Sequence, residues 1–408
     1  MSAQAVVAVL LIVLGTILNV SIAIILGIAS LLLEVVRLGW ARRGLGDLEY
    51  RRRIGRERLN WGEETTLAIE VWNRRRLPVA WLRADDAAEP GLVVRERSFA
   101  SGEMGLSLRN VWTLAPHERV TRRFHVTADR RGVFQLGPVE LSMGDLFARR
   151  AAMEERPVID TLLVRPRTVP VTPLRRADVW GGLDRAAAGL TEDPARFAGV
   201  REYAPGDPIR RIHARASVRF GRPFVKRFEP SRDREVVVAL DVQTEHGRSW
   251  DLAYDDASVE ALMVMAASLS RSLAIERAAF GLAAAAWSGA VRRFAIVPAS
   301  AAPGQLERVL DLLARLSSSP SAPFEALLTL LARTLRPGVT VLVLSARNPG
   351  PMARSLRGLM RRGCRVQLLA VGPEAGANLA VARALGIPGV VARLDGPWRT
   401  TERLELAG

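Results

Sequence analysis

The sequence predicts a multidomain chain: an N-terminal transmembrane segment, then an antiparallel β-sandwich, then a doubly wound α/β domain. Three observations predict it. No side chain from Met1 to Leu33 is charged, short period-two alternation runs from Arg58 to Thr172, and near-continuous apolar strands alternate with helical segments beyond Glu235. A length of 408 residues accommodates two or three such domains, each with its own core.

The apolar run, residues 1–36, exceeds the roughly 7–15 residues of a signal-peptide core and has no basic region before it, so it reads as a retained anchor. About 20 residues span a bilayer. One tilted helix and a tight hairpin breaking between Gly15 and Asn19 both fit the length. Arg37, Arg42, Arg43, Arg51, Arg52 and Arg53 follow closely and nothing basic precedes. Positive charge beside a span stays cytoplasmic, which predicts a cytoplasmic-membrane location with the soluble domains facing the cytosol.

Residues 58–172 read as the sandwich. The alternation is plainest in Leu67-Ala68-Ile69-Glu70-Val71-Trp72 and Arg122-Arg123-Phe124-His125-Val126-Thr127. Turn signals at Asn73-Arg74, Glu89-Pro90-Gly91, Ser101-Gly102, Arg131-Gly132 and Gly137-Pro138 separate the strands. Residues 173–234 form a loop-rich basic linker, where Arg196, Arg201, Arg210, Arg211, Arg215, Arg219, Arg222, Lys226 and Arg227 face only Glu202 and Asp207 between positions 195 and 227. Residues 235–395 form the α/β domain, with strands at 235–241, 278–287, 339–345 and 365–371 and helices at 257–274, 306–316, 324–335 and 352–362. A tail, 396–408, remains. Ligand sites in such sheets lie at the carboxyl ends of the strands, where Asp241 and Ser345 fall.

Composition excludes several chemistries. The net charge is +16, and Lys226 is the only lysine among the 58 Lys plus Arg. No glycine-rich turn precedes Lys226, so a phosphate-binding P-loop is excluded. A single cysteine, Cys364, excludes an internal disulfide and a multi-cysteine zinc site; at the start of a buried strand it reads as a small hydrophobe. His117, His125, His213 and His246 share no metal-ligand spacing.

Arg201-Glu202-Tyr203, Pro205-Gly206-Asp207, Arg210, Arg211-Ile212-His213 and Arg219, followed by an apolar strand ending in Asp241, resemble the signature of the bacterial membrane proteins grouped as DUF58. The stretch from Arg130 to Pro138, then Gly144-Asp145-Leu146-Phe147, is similar to that family's sandwich region. The resemblance implies that the α/β domain is von Willebrand factor A-like, with a metal-ion-dependent adhesion site of the form Asp-x-Ser-x-Ser plus a distal Asp. Here the matching positions are Asp241, Gln243, Glu245 and Ser345, and only Asp241 carries the expected residue. The short hydroxyl ligands are missing, so no bound metal and no cofactor are expected. The resemblance also implies a protein partner, a MoxR-type AAA ATPase being the family's frequent companion, besides membrane lipid at the anchor.

Asp207, Arg210, Arg211 and His213 place an acid, bases and an imidazole together. A Pro-Gly-Asp turn whose carboxylate pairs with Arg210 explains them without catalysis. Nucleic acid is disfavoured because Tyr203, Phe220, Phe224 and Phe228 are irregularly spaced. No catalytic residue is assigned, and the expected function is a membrane-anchored interaction or scaffold protein. The alternative is a hydrolytic enzyme using Asp207, Asp241 or Glu245 as acid or base.

Overall fold

The computed structural model describes residues 3–42, 45–102, 105–144, 150–172, 192–204, 212–230, 235–244, 256–289 and 293–407. The chain divides into two compact units, Met1–Val164 and Arg165–Gly408.

The first unit opens with two helices, α1 (Ala3–Ile17) and α2 (Ser21–Arg42). Asn19 adopts a left-handed φ of 57° between them. Glycine sets their spacing, since a Cβ on Gly27 would stand 2.5 Å from Ile12 Cγ1 and one on Gly15 2.9 Å from Ile24 Cγ1. Small residues of this kind let helix backbones approach closely. The apolar stretches, Ala5–Ile17 and Ser21–Glu34, are each shorter than a full span. Among the described residues, the helix long and apolar enough to cross a membrane lies elsewhere, in the core of the second unit.

Eleven strands follow among the described residues: β1 (Leu48–Ile54), β2 (Arg58–Leu59), β3 (Thr65–Asn73), β4 (Val79–Ala88), β5 (Leu92–Val94), β6 (Ala100–Gly102), β7 (Gly105–Leu114), β8 (Arg119–Ala128), β9 (Gly132–Gly144), β10 (Arg150–Arg156) and β11 (Asp160–Val164). One sheet has the order β1-β3-β8-β5 and the other β2-β11-β9-β4-β7-β6, with β10 on β9. Alternate residues of β3, including Leu67, Ile69 and Val71, join Leu108, Leu114 and Leu141 in one core. The period-two pattern is the cause, because successive side chains point to opposite faces.

Three expectations change here. β1 begins ten residues before the expected sandwich boundary, and Arg52 points inward from it instead of flanking the anchor. Its guanidinium is fully buried. Nη1 donates to Asp86 Oδ1 at 2.6 Å, Nε to Asp160 Oδ2 at 2.5 Å, and Nη2 to the carbonyl oxygens of Leu136 (2.5 Å) and Val158 (2.7 Å). Tyr50 Oη lies 2.6 and 2.7 Å from the two Asp86 oxygens. Burial pushes the Asp86 carboxyl up against the pull of Arg52, and pushes the Tyr50 phenol up as well. Gly137-Pro138, expected as a turn, lies within β9, where Gly137 (φ 104°) makes room for this network: a Cβ there would sit 1.9 Å from Val158 O and 2.8 Å from Arg52 Nη2.

In the second unit, β12 (Val171–Thr172) leads to β13 (Glu192–Glu202), α3 (Ala214–Phe220) and β14 (Phe224–Pro230). Then come β15 (Glu235–Leu240), α4 (Asp256–Ile275), β16 (Ala279–Ala284), β17 (Ala295–Ser300), α5 (Gln305–Arg315), α6 (Phe324–Thr334), β18 (Thr340–Ser345), α7 (Ala353–Arg361), β19 (Arg365–Ala370), α8 (Ala375–Ala384), β20 (Gly389–Leu394) and β21 (Leu404–Ala407). The main sheet runs β12-β21-β20-β19-β18-β15-β16-β17. Its five central strands are parallel, and β17 and β21 pair antiparallel at either side of them. Both faces are covered, which is why β15 is apolar from Val236 to Leu240 and β18 from Val341 to Leu344. Val236, Val238 and Leu240 meet α4 and α5 on one face; Val237 and Ala239 meet α6 and α7 on the other.

Boundaries differ from expectation at both ends of this unit. Val171–Thr172 pair with β21, not with the sandwich, and Arg165 Nε donates to Asp311 Oδ1 at 2.7 Å on α5. Residues 404–407 are a strand of the sheet, not a tail. The basic stretch is likewise not all loop: β13 and β14 pair antiparallel with two register shifts that blur their alternation.

Arg52→Ala removes the cation from a fully buried carboxylate and should destabilise the sandwich by about 3–5 kcal/mol, read by urea denaturation of the full chain. Arg52→Lys should rescue little, because one ammonium cannot serve acceptors spread around a planar fork.

Candidate functional site

β15 lies among the parallel strands, with β16 on one side and β18 on the other. The chain therefore reverses its direction of winding between β15 and β18. That is the topological switch point, where α/β sheets place their ligands. Asp241 follows β15 and Ser345 ends β18, so both predicted residues stand at this crevice, and the Asp241 N–H donates to Leu344 O at 2.9 Å.

Asp241 is 1% exposed and its carboxylate is fully engaged. Oδ2 accepts from Ser345 Oγ at 2.8 Å and from Arg347 Nε at 2.9 Å, while Oδ1 accepts from the backbone N–H of Gln243 at 3.2 Å. Ser345 Oγ in turn accepts from the Arg347 N–H at 3.1 Å. The guanidinium also donates from Nη2 to Glu325 Oε1 on α6 at 3.2 Å. Burial pushes the Asp241 carboxyl above its ordinary value, with Arg347 and Ser345 pulling it back. Asp241 and Glu325 hold the Arg347 guanidinium more firmly protonated than usual, against the opposing effect of burial.

Arg347 and Glu325 are the residues that sequence reasoning missed. The comparison with an adhesion site stopped at Ser345, two positions short of the arginine. An unexplained Arg just past a buried strand, facing an Asp at the end of its neighbour, was the available signal.

A divalent cation does not fit the described residues. The charge it would neutralise is already met by a guanidinium 2.9 Å from the carboxylate, and Gln243 contributes its backbone N–H, a donor, to Asp241. Among the described residues no group of three His, Cys, Asp or Glu side chains could hold a metal. Glu245, the other expected ligand position, lies outside the described residues. Nor is Ser345 set up as a nucleophile: it is 1% exposed and gives its proton to a carboxylate already shared with Arg347. Cys364 is buried just ahead of β19, and burial pushes its thiol up, as suits a small hydrophobe.

The signature residues fall into two groups. Pro205, Gly206, Asp207, Arg210 and Arg211 lie outside the described residues, and the expected Asp207–Arg210 pairing with them. Arg201 and Glu202 end β13 with Tyr203 directly after it, and His213 and Arg219 lie at the N-cap and in the last turn of α3. Glu202 stands opposite Phe224 in register and accepts from Arg222 Nη1 at 3.0 Å, while the Tyr203 N–H donates to Pro223 O at 2.9 Å. His213 caps α3, its Nδ1 accepting from the Ala216 N–H at 3.1 Å. That lone pair is spent on a backbone bond, so His213 here is a structural cap.

The fold and site define a multidomain chain carrying an antiparallel β-sandwich and an α/β unit with an arginine-filled switch point. Residues 199–374 match the family described as "Protein of unknown function DUF58", the family that the signature residues resemble. No match is found among curated proteins. Solved structures share local likeness: the CARDB domain of the PF1109 protein from Pyrococcus furiosus (11% identity, covering 29% of this chain and 92% of that one, TM-score 0.21) and a cohesin module from Clostridium perfringens (9%, 29% and 96%, 0.22). Trypsin-activated alpha-2-macroglobulin from Escherichia coli is 16% identical, with 41% of this chain and 9% of that one covered, at a TM-score of 0.21. Likenesses this slight carry neither fold nor function.

Arg347→Ala strips the cation from buried Asp241 and should lower stability by about 3–5 kcal/mol in thermal or urea unfolding. The pH dependence has a defined sign. A carboxyl raised in the folded state binds its proton more tightly there than in the unfolded chain, so its contribution is present below the ordinary Asp value and lost as pH rises through the folded one. As pH rises above the ordinary Asp value of about 4, the stability of wild type relative to Asp241→Asn should therefore fall; a rise would reverse the assignment.

Proposed function

We propose that this chain is a membrane-anchored, non-catalytic docking protein of the bacterial cytoplasmic membrane, with its two folded units on the cytosolic side. The observation that carries the reading is the Asp241–Ser345–Arg347–Glu325 network. At the position where an α/β sheet offers reactive groups, the carboxylate is spent on internal donors. The hydrolytic alternative loses Asp241 as a free acid or base for the same reason.

Read as von Willebrand factor A-like, the α/β unit would present the same sheet end that adhesion domains use, with the guanidinium of Arg347 in place of a metal. Docking there is then independent of divalent cations. The anchor reading draws support from α1 and α2, whose Val7, Leu10, Ile17, Ile22, Ile25 and Leu32 are all exposed. Apolar surface in that amount is covered by lipid or protein. α1 is 15 residues long, about 22 Å at the helical rise, so the hairpin enters a bilayer of about 30 Å only with local thinning. A MoxR-type AAA ATPase is the partner that the family resemblance puts forward.

Protease added outside intact spheroplasts should leave both units uncut; digestion would reverse the orientation. The detergent-extracted full chain should bind the MoxR-type ATPase of the same cell equally in Mg²⁺ and in chelator, measured with non-hydrolysed nucleotide removed from both arms. Absence of binding in both arms would sink the adaptor role, and binding only with Mg²⁺ the metal-independent site.

A further inference from the structure

The tip formed by α3 and the turn into β14 shows an unusual combination. Val218 is 84% exposed and Phe220 55%, on a helix that buries none of its residues. The ring of Phe220 stands 5.0 Å from that of Phe224, and Arg219 and Arg222 lie 5.9 and 6.0 Å over the two rings. Arg201, Arg215 and Lys226 are exposed beside them. Among the side chains described between positions 199 and 226, Glu202 is the acidic one, and Arg222 pairs with it.

This surface is held rigidly. The His213 N–H donates to Phe224 O at 2.8 Å, Ser217 Oγ donates to His213 O at 3.0 Å, and the Phe224 N–H donates to Ser217 Oγ at 2.9 Å. Gly221, at φ 68°, turns the chain back into β14. The apolar tip is thus fixed outward, where it cannot fold back onto its own unit.

We propose that this tip inserts into an anionic lipid surface, with Val218 and Phe220 entering the interface and Arg215, Arg219, Arg222 and Lys226 meeting the headgroups; the proposal rests on the membrane-anchor reading above. The chemistry is that of interfacial binding, apolar side chains flanked by cations whose apolar stems stay at the boundary. An aliphatic residue as the most exposed group offers a nucleic-acid base nothing to stack on. A chain tethered through α1 and α2 also meets lipid at high effective concentration, so a few cations and two apolar side chains suffice.

The test uses the full chain in vesicles, with Val218→Cys carrying an environment-sensitive fluorophore on a Cys364→Ala background and doxyl groups on the lipid acyl chains. Vesicles are phosphatidylcholine alone or phosphatidylcholine with phosphatidylglycerol. The label at 218 should be quenched in the anionic vesicles, weakly in the neutral ones, and less as salt is raised. Arg219→Glu and Arg222→Glu should each lower the ratio of quenched to unquenched label about fivefold or more. A second label, Leu26→Cys in α2, reports the anchor independently in both vesicle types. Quenching at 26 without quenching at 218 overturns the tip proposal and leaves the anchor; no quenching at 26 overturns the anchor. Equal, salt-insensitive quenching at 218 in both vesicle types, or burial of that label only on adding the ATPase, also overturns the proposal.

Discussion

A carboxylate taken out of water has to be met by positive charge or given up, and both units of this chain meet it with arginine. In the sandwich the acid is Asp86 and in the α/β unit it is Asp241, each within 1% of full burial. Removing a carboxylate from water costs several kcal/mol before any partner is counted. A guanidinium is suited to the position because it is planar, weakly hydrated and never loses its proton. Arg52 uses three nitrogens on four acceptors, and Arg347 uses two on two carboxylates. The surrounding backbone is arranged to permit this. Gly137 leaves space at the first site, and the short Ser345-Ala346 link lets Arg347 fold back onto Asp241 at the second.

The legible parts of the fold were those with strong periodicity. β3 alternates, and β15 and β18 carry continuous apolar runs at Val236–Leu240 and Val341–Leu344, so their faces and layers follow from side-chain direction alone. β13 carries Pro194 and Gly199 and two register shifts, which erase the alternation and make the segment read as linker. β21 is four residues long, and its strand state comes from pairing with β20 rather than from its own pattern. Arg52 read as one of a run of three arginines, because a local charge count has no means of knowing that the middle one faces inward on a strand.

The candidate site was half legible. Asp241 and Ser345 followed from the rule that strand ends carry the site, and they do meet, 2.8 Å apart, across 104 residues of sequence. What decides the chemistry is Arg347, and its role depends on a fold-back within a loop and on Glu325 from a separate helix. Neither is a property of spacing. The near absence of lysine added to the difficulty: where arginine is the default basic residue, the few that serve as internal counterions look like the many that are solvated.

That same bias separates two kinds of arginine in the finished structure. Arg52 and Arg347 lie among acids that consume their donors, and their charge is invisible from outside. Arg215, Arg219 and Arg222 stand on a short helix and turn with one carboxylate among them, so their charge is projected into solvent. A net charge of +16 therefore says little about where a partner binds until the internal pairs are set aside. Once they are, the positive field of the second unit is carried by groups that include the β13–β14 hairpin, which also holds Val218, the most exposed large apolar side chain described there. Internal arginines stabilise the carboxylates of the core, and external ones remain available for recognition; the sheet end with its sealed carboxylate belongs to the first kind and the hairpin tip to the second.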